Sequence, residues 1–111
     1  MPGYDYKDVE SELIQAENAR LRGNEGMARV CARRAAGMII DIYLHKKGIV
    51  LGSPSAYDRL RYLQNLPDLP SELTPLIEHF LVRVTPDHRL PVDADLIAEA
   101  HLLKSLLLDV R

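Results

Sequence analysis

Cysteine, tryptophan and histidine are scarce or missing in this chain of 111 residues, whose length fits a single domain over residues 1–111. Cys31 is the sole cysteine, which excludes an internal disulfide, and with only four histidines no spacing typical of a zinc site occurs. Aromatic residues make up 5% of the chain, which disfavours a strand-rich protein. We therefore expect no metal and no cofactor.

Long apolar runs and an excess of one charge are also missing. No stretch approaches the roughly 18 consecutive apolar residues of a membrane helix, and the polar N-terminus has no basic start followed by an apolar core. Lysine and arginine number 14 against 16 aspartates and glutamates, a formal net charge of −2, so no overall basic field favours nucleic acid. We expect a cytoplasmic protein with no membrane partner, in which any nucleic-acid contact is a local patch.

Apolar residues recur at intervals of three and four, which is typical of amphipathic helices. A first helix is predicted from Tyr6 to Arg22, before a turn that contains Gly23. Asn24 is predicted to cap a long second helix, and Gly48 suits the left-handed position just past its end. The apolar stripe of the second helix comprises Met27, Val30, Cys31, Ala35, Met38, Ile39 and Ile42.

Three further helices are predicted between the prolines of the second half. We expect Ser53, Ser71 and Asp93 to cap them, since each of these residue types accepts hydrogen bonds from the first free amides of a helix. Pro67 and Pro86 mark breaks, because proline cannot continue a helix. Five helices with short connections predict an all-α, up-and-down bundle of four to five helices.

The fifth helix has an unusually wide apolar face. Leu102 and Leu106 extend the stripe formed by Leu103 and Leu107, while Glu99 is expected to face solvent. Two explanations are open: a second copy of the chain covers the extra surface in a two-fold homodimer, or the helix is deeply buried within its own bundle.

Arg83 and His88, five residues apart, give the clearest hint of chemistry. An arginine offers a fork of donors to a phosphate, and a histidine moves a proton near neutral pH, so the pair is suited to cleave RNA without a metal. His88 would move the proton of the ribose 2′-hydroxyl, and Arg83 would stabilise the charge of the transition state. In the alternative interpretation Arg83 pairs with Asp87 and His88 is simply exposed.

Three more residues are candidates for contacts with phosphate or RNA. Arg29 and Arg33 stand one turn apart on the second helix and therefore share a face. Alternatively that face is solvated and paired to acids such as Glu25. His79 stands four residues before Arg83 and either joins its site or is a surface histidine.

Two stretches carry a family resemblance. One is residues 16–35, which contain Arg-Leu-Arg-Gly-Asn-Glu-Gly-Met-Ala-Arg, and the other is residues 83–100, which contain an Arg-x4-6-His pattern. With the order of the helices, they resemble the HEPN domain family of higher eukaryotes and prokaryotes. In catalytic members the resemblance implies a dimer in which Arg83 and His88 cleave RNA without metal. Other members lack nuclease activity and partner a small nucleotidyltransferase, often in toxin–antitoxin modules.

Two alignments with that family are open. Val84 stands where catalytic members usually carry a polar residue, and the Arg-Val-Thr-Pro-Asp of residues 83–87 also matches an Arg-Tyr-Pro-Asp type of stretch in noncatalytic members. Our first hypothesis is a HEPN-like interaction module that binds nucleotide or RNA phosphates, or a nucleotidyltransferase. The second is a metal-independent endoribonuclease that uses Arg83 and His88. The third is a helical oligomerisation protein with no nucleotide role.

Overall fold

A computed structural model describes residues 4–53, 55–67, 69–82 and 94–109 of the chain. All regular structure in these ranges is α-helical, which confirms the predicted all-α bundle. The five helices are α1 (Tyr6–Leu21), α2 (Glu25–Lys46), α3 (Ala56–Gln64), α4 (Leu73–Leu81) and α5 (Leu96–Leu107).

α1 and α2 form an antiparallel hairpin whose ends are set by local hydrogen bonds. Asp5 begins α1 with a capping box: its side chain accepts from the Asp8 amide at 3.0 Å, and the Asp8 side chain accepts from the Asp5 amide at 2.9 Å. Gly23 turns the chain with φ +78°, a conformation that favours glycine. Asn24 Oδ1 then accepts from the Met27 amide at 3.1 Å, which confirms Asn24 as the cap of α2.

The cap of α3 differs from the prediction. Ser55, and not Ser53, occupies the N-cap position, and its hydroxyl accepts from the Asp58 amide at 3.3 Å. The Ser53 hydroxyl supports this start from outside the helix, because it donates to Asp58 Oδ2 at 2.6 Å and accepts from the Ser55 amide at 3.1 Å. The helix therefore begins later than the sequence suggests.

The prediction that Ser71 caps α4 is also wrong. Glu72 holds the N-cap position and makes no side-chain capping bond. A backbone turn replaces the cap, in which the Leu73 amide donates to the Pro70 carbonyl at 3.0 Å.

The N-cap of α5 lies two residues beyond the predicted one. Asp95 is the N-cap, and its Oδ1 accepts from the Ala98 amide at 3.2 Å, whereas Asp93 lies outside the described residues. Arg20 of α1 donates to the same Oδ1 at 3.0 Å. Asp95 therefore both caps α5 and joins it to α1.

α2 is the central helix and packs against α1, α3 and α5. Close packing is possible because small side chains are fully buried on both α1 and α2. These are Ala16, Ala19, Ala28, Ala32, Ala35 and Ala36. At the crossing with α3 the approach is closer still, because a Cβ at Gly37 would lie 3.0 Å from Ala56 Cβ.

The predicted apolar stripe of α2 is only partly buried. Cys31 and Ile39 lie in the core, as predicted, with exposures of 2% and 0%. Met27 and Val30 are exposed at 41% and 38%, so their assignment to the core stripe is wrong. The other helices cover only part of the circumference of α2, and periodicity alone does not show which part.

Candidate functional site

A groove separates α1 from α5. The two helices run antiparallel, since Arg20 near the end of α1 meets Asp95 at the start of α5, and the Tyr6 hydroxyl donates to the Leu108 carbonyl at 3.3 Å. Between these contacts lie two concavities of about 270 and 490 Å³. We call them together the α1/α5 groove.

Glu17 and His101 stand at the middle of the α1/α5 groove. Both side chains border both concavities, which makes the groove continuous. Glu17 Oε1 and His101 Nε2 lie 3.6 Å apart across it, and both side chains are more than half exposed. The remaining lining residues are Glu10, Leu13, Ile14, Arg20, Leu21, Asp95, Ile97, Ala98 and Lys104.

Large apolar side chains border the groove without being covered by it. Ile14 is 56% exposed and Leu21 85% exposed, one heptad apart on α1. Leucine and isoleucine side chains of this exposure beside one groove favour association with another apolar surface.

The wide face of α5 is divided between two environments. Leu103 and Leu107 are buried by the chain's own helices, and Leu106 is partly buried against the same core. Leu102 remains 49% exposed and is not among the side chains that line the α1/α5 groove. Burial within the bundle therefore explains most of the leucines of α5 but not Leu102.

One end of the groove is closed by a charged network around Arg20. Its guanidinium donates to both oxygens of Glu25, at 3.0 and 2.8 Å, and to Asp95 at 3.0 Å. The hydrogen bonds with Arg20 hold the pKa of Glu25 below its ordinary value. Burial raises the pKa of Asp95, but the hydrogen bonds from the Ala98 amide and from Arg20 outweigh burial and lower this pKa below its ordinary value. The network therefore fixes α5 against the α1–α2 turn in the charged form.

His79 has a partner that the sequence did not reveal. Its Nδ1 lies 2.5 Å from Oε1 of Glu99, so the pair links α4 to α5. Glu99 was expected to face solvent, but its side chain is only 17% exposed, and Oε2 has no hydrogen-bond partner among the described residues. Because the carboxylate of Glu99 contacts Nδ1 of His79, Nε2 is the ring nitrogen available for a further contact.

Arg33 is engaged with the end of α4. Its Nε donates to the Phe80 carbonyl at 2.9 Å and its guanidinium to the Val82 carbonyl at 3.4 Å. The guanidinium also lies 5.2 Å from the centre of the Tyr57 ring. These contacts satisfy carbonyls at the end of a helix. The predicted role of Arg33 in binding phosphate stays a prediction.

Arg29 lies one turn before Arg33 and acts on a different group. The pKa of Glu25 is lowered mainly by its hydrogen bond with Arg20, and the charge of Arg29 adds to that effect. Arg29 and Arg33 thus share a helix face but serve separate contacts. The predictions that Arg29 and Arg33 contact phosphate, and that His79 joins the site of Arg83, stay predictions.

Arg83 and His88 lie outside the described residues. The structure describes the chain up to Val82 at the end of α4 and resumes at Ala94 before α5. The hypothesis that Arg83 and His88 cleave RNA therefore stays a prediction.

Comparisons with protein-family models, with curated proteins and with solved structures gave no match. The resemblance to HEPN domains accordingly rests on the sequence pattern. Across the described ranges, no cluster of three or more histidine, cysteine, aspartate or glutamate side chains is placed to hold a metal ion. In the same part of the chain, no helix combines the length and apolar character needed to cross a membrane.

Sequence reasoning missed the α1/α5 groove, although a signal was present. Val9, Leu13 and Ala16 make the buried stripe of α1, and Ile14 and Leu21 form a second, seven-residue repeat beside it. A second apolar repeat on a short helix indicates a second packing surface. The position of Glu17 opposite His101 required the fold.

Proposed function

We propose that this protein is a helical interaction module, HEPN-like in type, that docks another helical surface in the α1/α5 groove. The observation that carries the proposal is the exposure of Ile14 and Leu21 along one groove. Apolar side chains exposed to water do not stabilise a monomer. Covering them on association is favourable by about 25 cal/mol per Å² of apolar surface buried.

The shape of the groove supports an apolar helix as the docked element. Two roughly antiparallel helices present side chains three, four and seven residues apart, which is the pattern that receives the ridge of a third helix. The polar side chains of Glu17 and His101 lie beside the exposed apolar ones, and apolar groups bordered by polar groups are common in protein interfaces.

The resemblance to HEPN domains suggests the kinds of partner. A homodimer, a small nucleotidyltransferase and RNA phosphates are its three candidates, and a toxin–antitoxin setting in the cytoplasm belongs to the same proposal. An apolar groove favours a protein partner over RNA, because nucleic-acid sites are dominated by lysine and arginine.

A photo-cross-linking amino acid at position 21, which borders the groove, tests this function in cells of the native host. The matched control carries the same amino acid at Val50, which is 80% exposed but outside the groove. We expect protein adducts from position 21 only, and we expect Ile14→Arg in the same chain to abolish them. Equal labelling from the two positions, or none from position 21, would count against the α1/α5 groove as a docking surface.

A further inference from the structure

A separate concavity lies where α1 packs against α2, and it shares no lining residue with the α1/α5 groove. Its volume is about 430 Å³, within the range of small-molecule sites. Each helix lines it with side chains spaced three and four residues apart, which therefore share a face. The lining residues are Gln15, Asn18, Arg22, Met27, Cys31 and Arg34.

Hydrogen-bond donors surround this concavity, and they are available to a ligand. In the part of the chain that the structure describes, the side chains of Gln15, Asn18 and Arg22 make no hydrogen bond or ion pair. Arg34 Nη1 lies 3.9 Å from Glu12 Oε2, which is too long for a hydrogen bond, and the Arg34 side chain is 59% exposed.

The two guanidinium groups of the lining converge on one point. Burial and a hydrogen bond with Glu12 raise the pKa of the Cys31 thiol, and the charges of Arg34 and Arg22 both oppose that rise. Charges shift a pKa in this way from a short distance, so both arginines lie near the thiol. Two planar guanidinium groups near one point suit a carboxylate or a phosphate, whose oxygens match their paired donors.

Glu12 is the acid beside this cluster, and it leaves the cluster positive. Its side chain is 11% exposed, pairs with Arg34 and Cys31, and is not part of the lining. Two guanidinium groups and one carboxylate sum to one positive charge, in a chain whose net charge is −2. So small a local excess favours a compact anion over nucleic acid, which is bound through many lysines and arginines.

Met27 gives the concavity an apolar border. Its side chain is 41% exposed although the neighbouring Cys31 is buried. A thioether side chain is flexible and adapts to irregular apolar groups. The lining therefore combines donors for an anionic group with a contact for an apolar body.

We propose that this concavity binds a small organic oxyanion, a phosphate monoester or a dicarboxylate, whose charged group lies between Arg22 and Arg34 and whose body contacts Met27. The site is separate from the α1/α5 groove. It therefore stands or fails independently of the proposed function.

Nuclear magnetic resonance titration with phenyl phosphate and with phthalate tests the site. We expect saturable shifts of the side-chain amide resonances of Gln15 and Asn18, which sodium chloride at equal ionic strength does not reproduce. Arg22→Gln should raise the dissociation constant at least about tenfold, because hydrogen bonds to a charged group are lost. Arg61→Gln is the control, since Arg61 is exposed on α3 outside the concavity, and it should change nothing.

The fold does not depend on the Arg22 side chain, so the variant reports on binding. The tighter of the two probes identifies the anionic group as phosphate or carboxylate. No saturable shift with either probe, or equal affinity in Arg22→Gln, overturns the proposal. Binding of single-stranded RNA through Arg22 without binding of either probe also overturns it.

Comparison with inorganic phosphate tests the apolar contact. Phenyl phosphate should bind several-fold more tightly than inorganic phosphate, and Met27→Ala should remove most of that difference. Val30→Ala is the matched control, because Val30 is similarly exposed on α2 but does not line the concavity. An unchanged preference in Met27→Ala overturns the assignment of Met27.

Discussion

α1 takes part in two seams of opposite character. Toward α2, small side chains such as Ala16 and Ala19 are fully buried, and the concavity of about 430 Å³ at this seam is bordered mainly by polar side chains such as Arg22. Toward α5, the larger Ile14 and Leu21 are exposed beside the groove. The comparison teaches that both seams of α1 leave a surface concavity, and that they differ in whether polar or large apolar side chains border it.

The polar contacts of the two seams differ in the same way. The α1–α2 hairpin is fixed by local bonds, among them the cap at Asn24. The seam with α5 is joined at its ends, by Arg20 with Asp95 and by Tyr6 with Leu108, while its middle has only the exposed pair of Glu17 and His101. An open middle between fixed ends is a preformed groove, and a preformed site loses little conformational entropy on binding.

The largest effect should come from comparing Leu13 with its neighbour Ile14. Leu13 is 3% exposed and Ile14 56% exposed. We expect Leu13→Ala to lower the free energy of unfolding by about 2 to 5 kcal/mol, because it leaves a cavity in the core. Ile14→Ala should cost less than about 1 kcal/mol in urea denaturation of the monomer. Similar losses from both variants would contradict the difference in burial between these two neighbouring positions.

A smaller effect on the free energy of unfolding is expected at the turn between α1 and α2. Asn24→Ala removes the cap of α2 and should cost about 1 kcal/mol in thermal or urea unfolding. It should also speed hydrogen exchange at the Met27 amide, which then loses its acceptor. Asn18→Ala is the control, since Asn18 is exposed within α1, and it should leave stability unchanged or slightly raised. An equal loss from both variants would show that Asn24 is not specially placed.

The smallest effect concerns the stability that the Arg20 network, at one end of the groove, loses in acid. Glu25 and Asp95 have pKa values held below their ordinary values of 4.5 and 3.8. Their contribution is therefore fully present above about pH 5 and is lost as the pH falls through the folded-state pKa values. The side chains of the network are 37% to 53% exposed, so we expect less than about 1 kcal/mol.

Arg20→Gln measures that contribution. The free energy of unfolding of the parent should fall more steeply than that of the variant between about pH 5 and pH 3, and the two curves should converge in acid. Parallel curves over this range would mean that the Arg20 network does not stabilise the fold.

Local signals in the sequence predicted the helices well and their tertiary partners poorly. Asn24 and Gly48 mark the ends of α2 correctly, since a cap and a left-handed turn depend on a few neighbouring residues. Ser53 and Asp93 were predicted as caps from their residue types, but Ser55 and Asp95 hold the N-cap positions of α3 and α5. At Asp95 the choice coincides with the bond from Arg20, which no local pattern contains.

The candidate site was predicted less completely than the fold. His79 was singled out, but its partner Glu99 lies twenty residues away on another helix, and its periodicity predicted an exposed side chain. Arg33 was also singled out, although what it contacts among the described residues is α4 and Tyr57. Residue type indicates what a side chain is able to bind, and only the packing of helices shows what lies within its reach.

The sequence by itself determined that this chain forms amphipathic helices, where α2 is capped and where the turn at Gly23 falls, because these depend on hydrogen bonds and steric limits within a few residues. Only the tertiary structure decided that Leu103 is buried while Leu102 is open, and that Glu17 faces His101 across a groove. The physical reason is that a helical repeat defines which residues share a face, whereas burial depends on whether another helix is long enough, and close enough, to cover it.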